Sequence, residues 1–166
     1  MPSLPHRLCA HLQNTSRAFA SITPVPYSRT SLAVTSILLR QGLISNLTFG
    51  SPSSPDPSVF PNLPVSERTL WVYHKYRDGR PVLKHISLVS RPSQRLVLDN
   101  KEIGLLLTGR RAKRIPGVGL GEFLIIRVVK NQGRQGTGTA QETGVYMEGW
   151  EAWRAGMGGE VVCRVG

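Results

Sequence analysis

Leu4, Leu8, Cys9 and Leu12 recur at the spacing of an amphipathic helix, and Leu32, Ala33, Ile37 and Leu38 repeat the pattern until Gly42 stops it. Between these runs Pro24 and Pro26 impose an extended link, because a proline ring crowds the helical conformation of the residue before it. Residues 43–49 read as a strand. The pattern then breaks over residues 50–64, where five prolines and four serines leave no face to bury, so a loop inserted between strands is predicted. Alternation returns over 70–76, Asp78-Gly79 supplies a hairpin turn, and 82–89 is expected to return as the partner strand. Past Pro92, short strand-like runs at 95–98, 123–129 and 160–165 alternate with glycine-rich links and one short helix over residues 149–154. The polar, glycine-rich tip at 133–138 reads as a hairpin insertion of high mobility. Together these elements predict an α+β fold of two small domains. Residues 1–90 place helices on a short β-sheet and carry a Pro/Ser-rich insertion at 50–67. Residues 91–166 form a β-rich domain with one short helix and an insertion at about 130–143.

Composition adds the question of partners. The chain has 166 residues, 40% of them hydrophobic, which is enough apolar material to fold. It sets 21 Lys and Arg against 10 Asp and Glu, a net charge of +11. So much like charge repels itself unless a polyanion neutralises it. Nucleic acid is the first candidate, and an anionic membrane surface or an acidic protein partner is the alternative. No apolar run is long enough to span a bilayer. Cys9 and Cys163 lack companions at metal spacing and read as buried small hydrophobes in a reducing compartment. The first acidic residue is Asp56, and the arginine-, serine- and threonine-rich, acid-free stretch before it has the composition of a mitochondrial import signal.

The charge is concentrated. Residues 68–134 hold fifteen Lys and Arg against the four carboxylates Asp78, Asp99, Glu102 and Glu122. Arg110, Arg111, Lys113 and Arg114 form the densest cluster, between Gly109 and Pro116, and read either as a phosphate-contacting loop or as a solvated one. The glycine runs at 117–121 and 133–138 lack the Gly-Lys-Ser/Thr ending of a phosphate loop and read as turns. Trp71, Tyr73, Tyr76, Trp150 and Trp153 could stack on bases or pack in a core, and Trp150 with Trp153 is the pair that suggests a partner surface. No Ser, His and Asp set, no acid/base pair and no ligand cluster stands out. Neither a catalytic residue nor a metal, cofactor or small-molecule substrate is therefore expected.

Several short motifs, in order and with compatible spacing, resemble the universal small-subunit ribosomal protein S8 family over nearly the whole chain. Residues 8–14 resemble its first helix, Pro26-Tyr27-Ser28-Arg29 its entry to the second, and Gln41-Gly42-Leu43-Ile44 the end of that helix. Val89-Ser90-Arg91-Pro92 resembles its interdomain motif, Gly119-Leu120-Gly121 the turn before its central C-terminal strand, and residues 156–163 its C-terminal signature. The resemblance implies a non-enzymatic protein of two α+β domains that binds the central domain of small-subunit rRNA during assembly, beside neighbouring ribosomal proteins. The RNA-facing residues it implies are Ser28, Arg29, Ser90, Arg91, Gly158, Gly159 and Glu160. Arginine forks grip phosphate, serine hydroxyls reach phosphate or 2′-hydroxyl oxygens, and paired glycines let backbone approach RNA.

The chain also departs from that pattern. Where the family carries Ser-Thr-Ser, this sequence has Ile126, Arg127 and Val128, followed by the insertion, and an aromatic hydroxyl of many relatives falls near Val97. Arg127, Lys130 and Arg134 are expected to supply charge in place of the missing hydrogen bonds. These departures, the Pro/Ser insertion and the acid-free start favour a mitochondrial, fungal-type member in the matrix, with an uncleaved import signal inside its first helix.

Overall fold

The computed structural model describes residues 4–129 and 144–166, which divide into two compact units. The first comprises residues 4–88 with 165–166, and the second residues 89–129 with 144–164.

In the first unit, α1 (Leu4–Arg17) is followed by β1 (Ile22–Pro26), α2 (Arg29–Arg40) and β2 (Ile44–Gly50). Ser28 caps α2, its hydroxyl oxygen accepting the Ser31 N–H at 2.9 Å. Gly42, at φ 74°, ends the helix in the left-handed conformation that glycine adopts without Cβ strain. The proline-bearing link is a true strand. β1 lies at the edge of an antiparallel sheet ordered β1-β3-β2, with β3 (Thr69–His74) in the centre, and an edge position tolerates the missing N–H groups of Pro24 and Pro26. Val25, Leu70 and Val72 are buried with Leu8 and Leu12 of α1 and Val34, Ile37 and Leu38 of α2.

The hairpin at Asp78-Gly79 exists, but it joins only two-residue strands, β4 (Tyr76–Arg77) and β5 (Arg80–Pro81). Residues 82–89 do not pair with β3, whose neighbours are β1 and β2. Polar side chains of α1 draw that segment away instead. Ser16 Oγ donates to the Leu83 carbonyl, Gln13 Nε2 donates to the Lys84 carbonyl, and Gln13 Oε1 accepts the Ile86 N–H. The short β6 (Ile86–Leu88) packs against α1, and His85 and Gly166 exchange backbone hydrogen bonds.

The Pro/Ser-rich segment is irregular, as expected, apart from one 3₁₀ turn at Phe60–Asn62. It is nevertheless tightly anchored. Trp71 Nε1 donates to the Ser51 carbonyl at 2.9 Å, Arg68 Nε donates to the Leu63 carbonyl, and the Arg68 guanidinium lies 5.2 Å from the centre of the Phe60 ring. Phe60 in turn packs on Tyr27 and Phe49.

The second unit contains β7 (Val97–Leu98), α3 (Asn100–Leu107), β8 (Phe123–Val129), β9 (Gly144–Glu148), α4 (Gly149–Arg154) and β10 (Gly159–Val165). β8 lies between β9 and β10, and β7 pairs with β10. The fold is α+β. Where the sequence pattern predicts one short helix in this region, the described residues hold two. α3 is launched by a capping box, Asp99 with Glu102, and buries Ile103, Leu106 and Leu107 against Leu124, Ile126, Ala152 and Val161. The insertion predicted at about 130–143, with its glycine-rich tip, lies outside the described residues, as do Lys130 and Arg134.

Candidate nucleic-acid interface

The basic cluster folds as a tight turn rather than an open loop. Ala112 and Ile115 are buried and exchange two backbone hydrogen bonds, so Lys113 and Arg114 form its tip, with Lys113 at φ 50°. Burying these two apolar residues forces the cations between and before them outward. Arg110, Arg111 and Arg114 are exposed and have no carboxylate partner among the described residues. Lys113 is engaged. Its ammonium donates to the Val97 carbonyl at 2.9 Å and pairs with Glu102 at 3.0 Å. The Glu102 carboxyl is held below its ordinary value, first by the hydrogen bond from the Asp99 N–H and then by Lys113.

Ser90 and Arg91 divide their roles. Ser90 is buried and its Oγ accepts the Leu96 N–H at 3.0 Å, closing a loop over residues 91–95. Arg91 and Gln94 bond to each other across the loop through their backbones, and the side chains of Arg91 and Arg95 are exposed. Ser90 thus positions the arginines from beneath.

Gly158 and Gly159 turn out to be required by the protein's own packing. A Cβ on Gly158 would lie 2.6 Å from the Leu98 carbonyl oxygen, and one on Gly159 would lie 2.5 Å from that of Arg127. Their missing side chains let β10 start against β7 and β8. Glu160 follows on β10, half-buried, with its carboxylate 3.7 Å from the Arg127 guanidinium on β8. Arg127 is accordingly turned toward a carboxylate inside the unit as well as toward the surface, which qualifies its expected role as free charge for RNA.

These residues converge. Lys113 bonds to the Val97 carbonyl, Val97 is the register partner of Glu160, Glu160 faces Arg127, and the Leu96 carbonyl accepts the Val161 N–H. The Ser90 loop, the basic turn, Gly158, Gly159, Glu160 and Arg127 therefore share one row across β7, β10 and β8. Ser28 and Arg29 belong to the first unit, where Ser28 is spent as the α2 cap and Arg29 is exposed.

Sequence reasoning missed Arg164, which donates to the Pro116 carbonyl and to that of Gly117 at 3.2 Å, fixing the glycine run at 117–121 to β10. Its guanidinium also lies 3.7 Å from Glu122. No local pattern marks such a contact, because its partners lie more than forty positions away. Among the aromatics, Trp71 and Tyr76 are tied to backbone carbonyls of the protein. Trp150 and Trp153 are each 41% exposed and meet edge to face. Among the described residues no group of His, Cys, Asp and Glu could hold a metal ion, and no helix is long and apolar enough to cross a membrane.

A platform of exposed arginines on hydrogen-bonded turns suits the holding of a polyanion, and the comparisons agree with that chemistry. Residues 7–112 match the family model described as Ribosomal protein S8. The chain is similar to small ribosomal subunit protein uS8m of Neurospora crassa, 32% identical over 95% of this chain and 94% of the relative. To the protein of that name from Schizosaccharomyces pombe it is 31% identical, over 96% of this chain and 97% of the relative. Small ribosomal subunit protein uS8 of the bacterium Acidiphilium cryptum is 28% identical over 95% of this chain and 94% of its own length. The motifs first seen as isolated turns and caps thus lie along an alignment of almost end-to-end length, and the chain belongs to the ribosomal protein S8 family.

Proposed function

We propose that this protein is a structural constituent of the mitochondrial small ribosomal subunit, bound to the central domain of small-subunit rRNA and supporting assembly and translation. The observation that carries the reading is the second unit's set of exposed arginines without carboxylate partners among the described residues, Arg91, Arg95, Arg110, Arg111 and Arg114, on turns that buried residues hold in place. A mobile basic tail would lose backbone as well as side-chain entropy on docking, whereas here the backbone is already ordered and only the arginine side chains must be fixed on phosphate. Ser90, Gly158 and Gly159 serve that surface by fixing its backbone, and Glu160 tempers it through Arg127. Ser28 and Arg29 offer a separate contact at the start of α2, and Lys130 is kept as an RNA contact on its charge alone. The relatives from Neurospora crassa and Schizosaccharomyces pombe carry the m suffix that distinguishes the mitochondrial form from the bacterial one, in keeping with the acid-free first 55 residues. Membership of a structural ribosomal family, rather than any lack of a pocket, argues against catalysis.

The test is binding of the full chain to a transcript of the small-subunit rRNA central domain, together with sedimentation of the native protein. Co-migration with small subunits and salt-sensitive binding that prefers folded rRNA to an unrelated duplex are expected. Absence from purified mitochondrial ribosomes would overturn the reading.

A further inference from the structure

The first unit carries a second cationic feature that none of the expected site residues includes. β4 and β5 meet through Asp78 and Gly79, both at positive φ, the geometry of a type I′ hairpin. Arg77 and Arg80 are register partners in this two-residue ladder, so their side chains leave the same face directly opposite each other. Like charges placed this way repel, and among the described residues only Asp78 lies within ion-pair distance of either. The Arg77 guanidinium is 3.8 Å from Asp78, with both side chains more than four-fifths exposed, a contact that solvent largely screens. Arg80 has no carboxylate partner among the described residues.

The same arginines line a concavity of about 470 Å³ with Lys84, Asp78, Pro81 and Val82. Its three cations outnumber the single carboxylate. The hairpin is too short to stabilise the sheet, which takes its pairing from β1, β2 and β3. Tyr76 anchors the base of the hairpin through its hydroxyl, which donates to the Ala20 carbonyl at 2.7 Å, whereas the arginine pair at its tip makes no contact that serves this anchoring and lies on a surface already concave. That arrangement is explained when an anion sits between the two forks and converts repulsion into shared attraction.

We infer that the Tyr76–Pro81 hairpin, with Lys84, is a second phosphate-binding site, for the backbone of an RNA. Two adjacent guanidinium groups match the non-bridging oxygens of one phosphate or of neighbouring phosphates along a strand. The lining offers no side-chain amide or aromatic group with which to read a base or a particular peptide. The site thus contributes affinity and orientation rather than sequence choice. This inference rests on the reading of the protein as an rRNA-binding subunit component and adds a contact in the unit that the motif residues, apart from Ser28 and Arg29, do not reach.

The experiment measures the salt dependence of full-chain binding to a full-length mitochondrial small-subunit rRNA transcript. Three proteins are compared: the wild type, the R77Q/R80Q/K84Q triple variant, and D78N. The triple variant removes only exposed charge, and Asn adopts positive φ as readily as Asp, so each keeps the hairpin. For the triple variant we expect a log–log slope shallower by roughly one unit for each phosphate that it no longer neutralises. For D78N, which removes the one repelling carboxylate, we expect binding about twofold to threefold tighter at low salt. Wild-type protein that fails to bind the transcript would remove the proposed function itself. Wild-type protein that binds, while the triple variant keeps its slope or D78N gains nothing, would overturn this inference alone and leave the proposed function standing.

Discussion

Two turns of this molecule carry closely spaced cations, and both place a non-glycine residue at positive φ, Asp78 at 49° and Lys113 at 50°. They differ in what holds them. The turn at Lys113 is flanked by the buried Ala112 and Ile115, and its lysine is clipped to Glu102 and to the Val97 carbonyl. The hairpin at Asp78 has neither support, and its two arginines face each other across the ladder. Charge beside a buried, hydrogen-bonded backbone can serve folding and a partner at once. Charge set against like charge at an exposed hairpin tip weakens folding locally and is offset when a ligand anion sits between the two groups. The difference separates residues that build the interface from residues that spend their charge on it, and substitutions should divide along the same line.

The largest effect belongs to the builders. Gly159→Ala forces a Cβ to within 2.5 Å of the Arg127 carbonyl, where only backbone can yield. A drop in stability of about 2–3 kcal/mol is expected, seen as a lower denaturant midpoint at an unchanged m-value. If the midpoint stays put while rRNA affinity falls, Gly159 acts at the RNA and the division between builders and spenders fails at that residue. Ser90→Ala comes next. It leaves the Leu96 N–H without its acceptor beneath the 91–95 loop, at a cost of roughly 1–2 kcal/mol. Rescue by Ser90→Thr, which keeps the hydroxyl, would show that the hydrogen bond rather than the volume matters.

Acid should separate the two units. His74 in the first unit is buried, with Nε2 within 3.0 Å of Thr15 Oγ1 and 3.1 Å of Thr23 Oγ1. Burial lowers its pKa below 6.5, and the nearby His11 adds to the effect. The unfolded chain therefore binds a proton that the folded one refuses, and stability is complete above pH 6.5 and falls as pH drops from there toward the lowered value. In the second unit the Glu102 carboxyl is lowered from 4.5, so its contribution is complete above that pH and disappears only as pH falls further. Urea titrations at pH 7.5 and 5.5 should show a drop that His74→Gln abolishes. A profile flat over that range in the wild type would mean that His74 does not resist protonation.

Much of this organisation is legible in the chain. Local periodicity locates α1, α2 and β8, and the Gly149–Arg154 helix is expected over those same residues. The helix α3 is also encoded, in Asp99 and Glu102 followed by Ile103, Leu106 and Leu107, but the basic and glycine-rich residues around it obscure the capping box. The partners of β3 cannot be read locally. Residues 82–89 carry a plausible strand pattern, and the hydrogen bonds of Gln13 and Ser16, some seventy positions away, together with the backbone exchange between His85 and Gly166, hold them elsewhere. The site shows the same limit. Residue types identify the exposed arginines, whereas the burial of Ser90 and the packing demands on Gly158 and Gly159 depend on which strands become neighbours.

The smallest stability effect, and the sharpest test of the contrast between the turns, is expected at Arg110, Arg111 and Arg114. Their side chains are exposed and without carboxylate partners among the described residues, while the turn beneath them depends on Ala112, Ile115 and Lys113. Replacing all three by Gln should move the unfolding free energy by no more than about 0.5 kcal/mol, as for surface positions generally. The salt dependence of rRNA binding should nevertheless shallow by roughly one unit for each phosphate left without its arginine. Lys113→Gln should behave differently. It frees the Val97 carbonyl and Glu102 from their shared ammonium, loosening the turn, so any weakening of RNA affinity should come with a lower melting temperature. Should the triple variant destabilise the protein while K113Q leaves it intact, the clip would be ornamental and the arginines structural, and the two turns would differ for some reason other than the bonds that hold them.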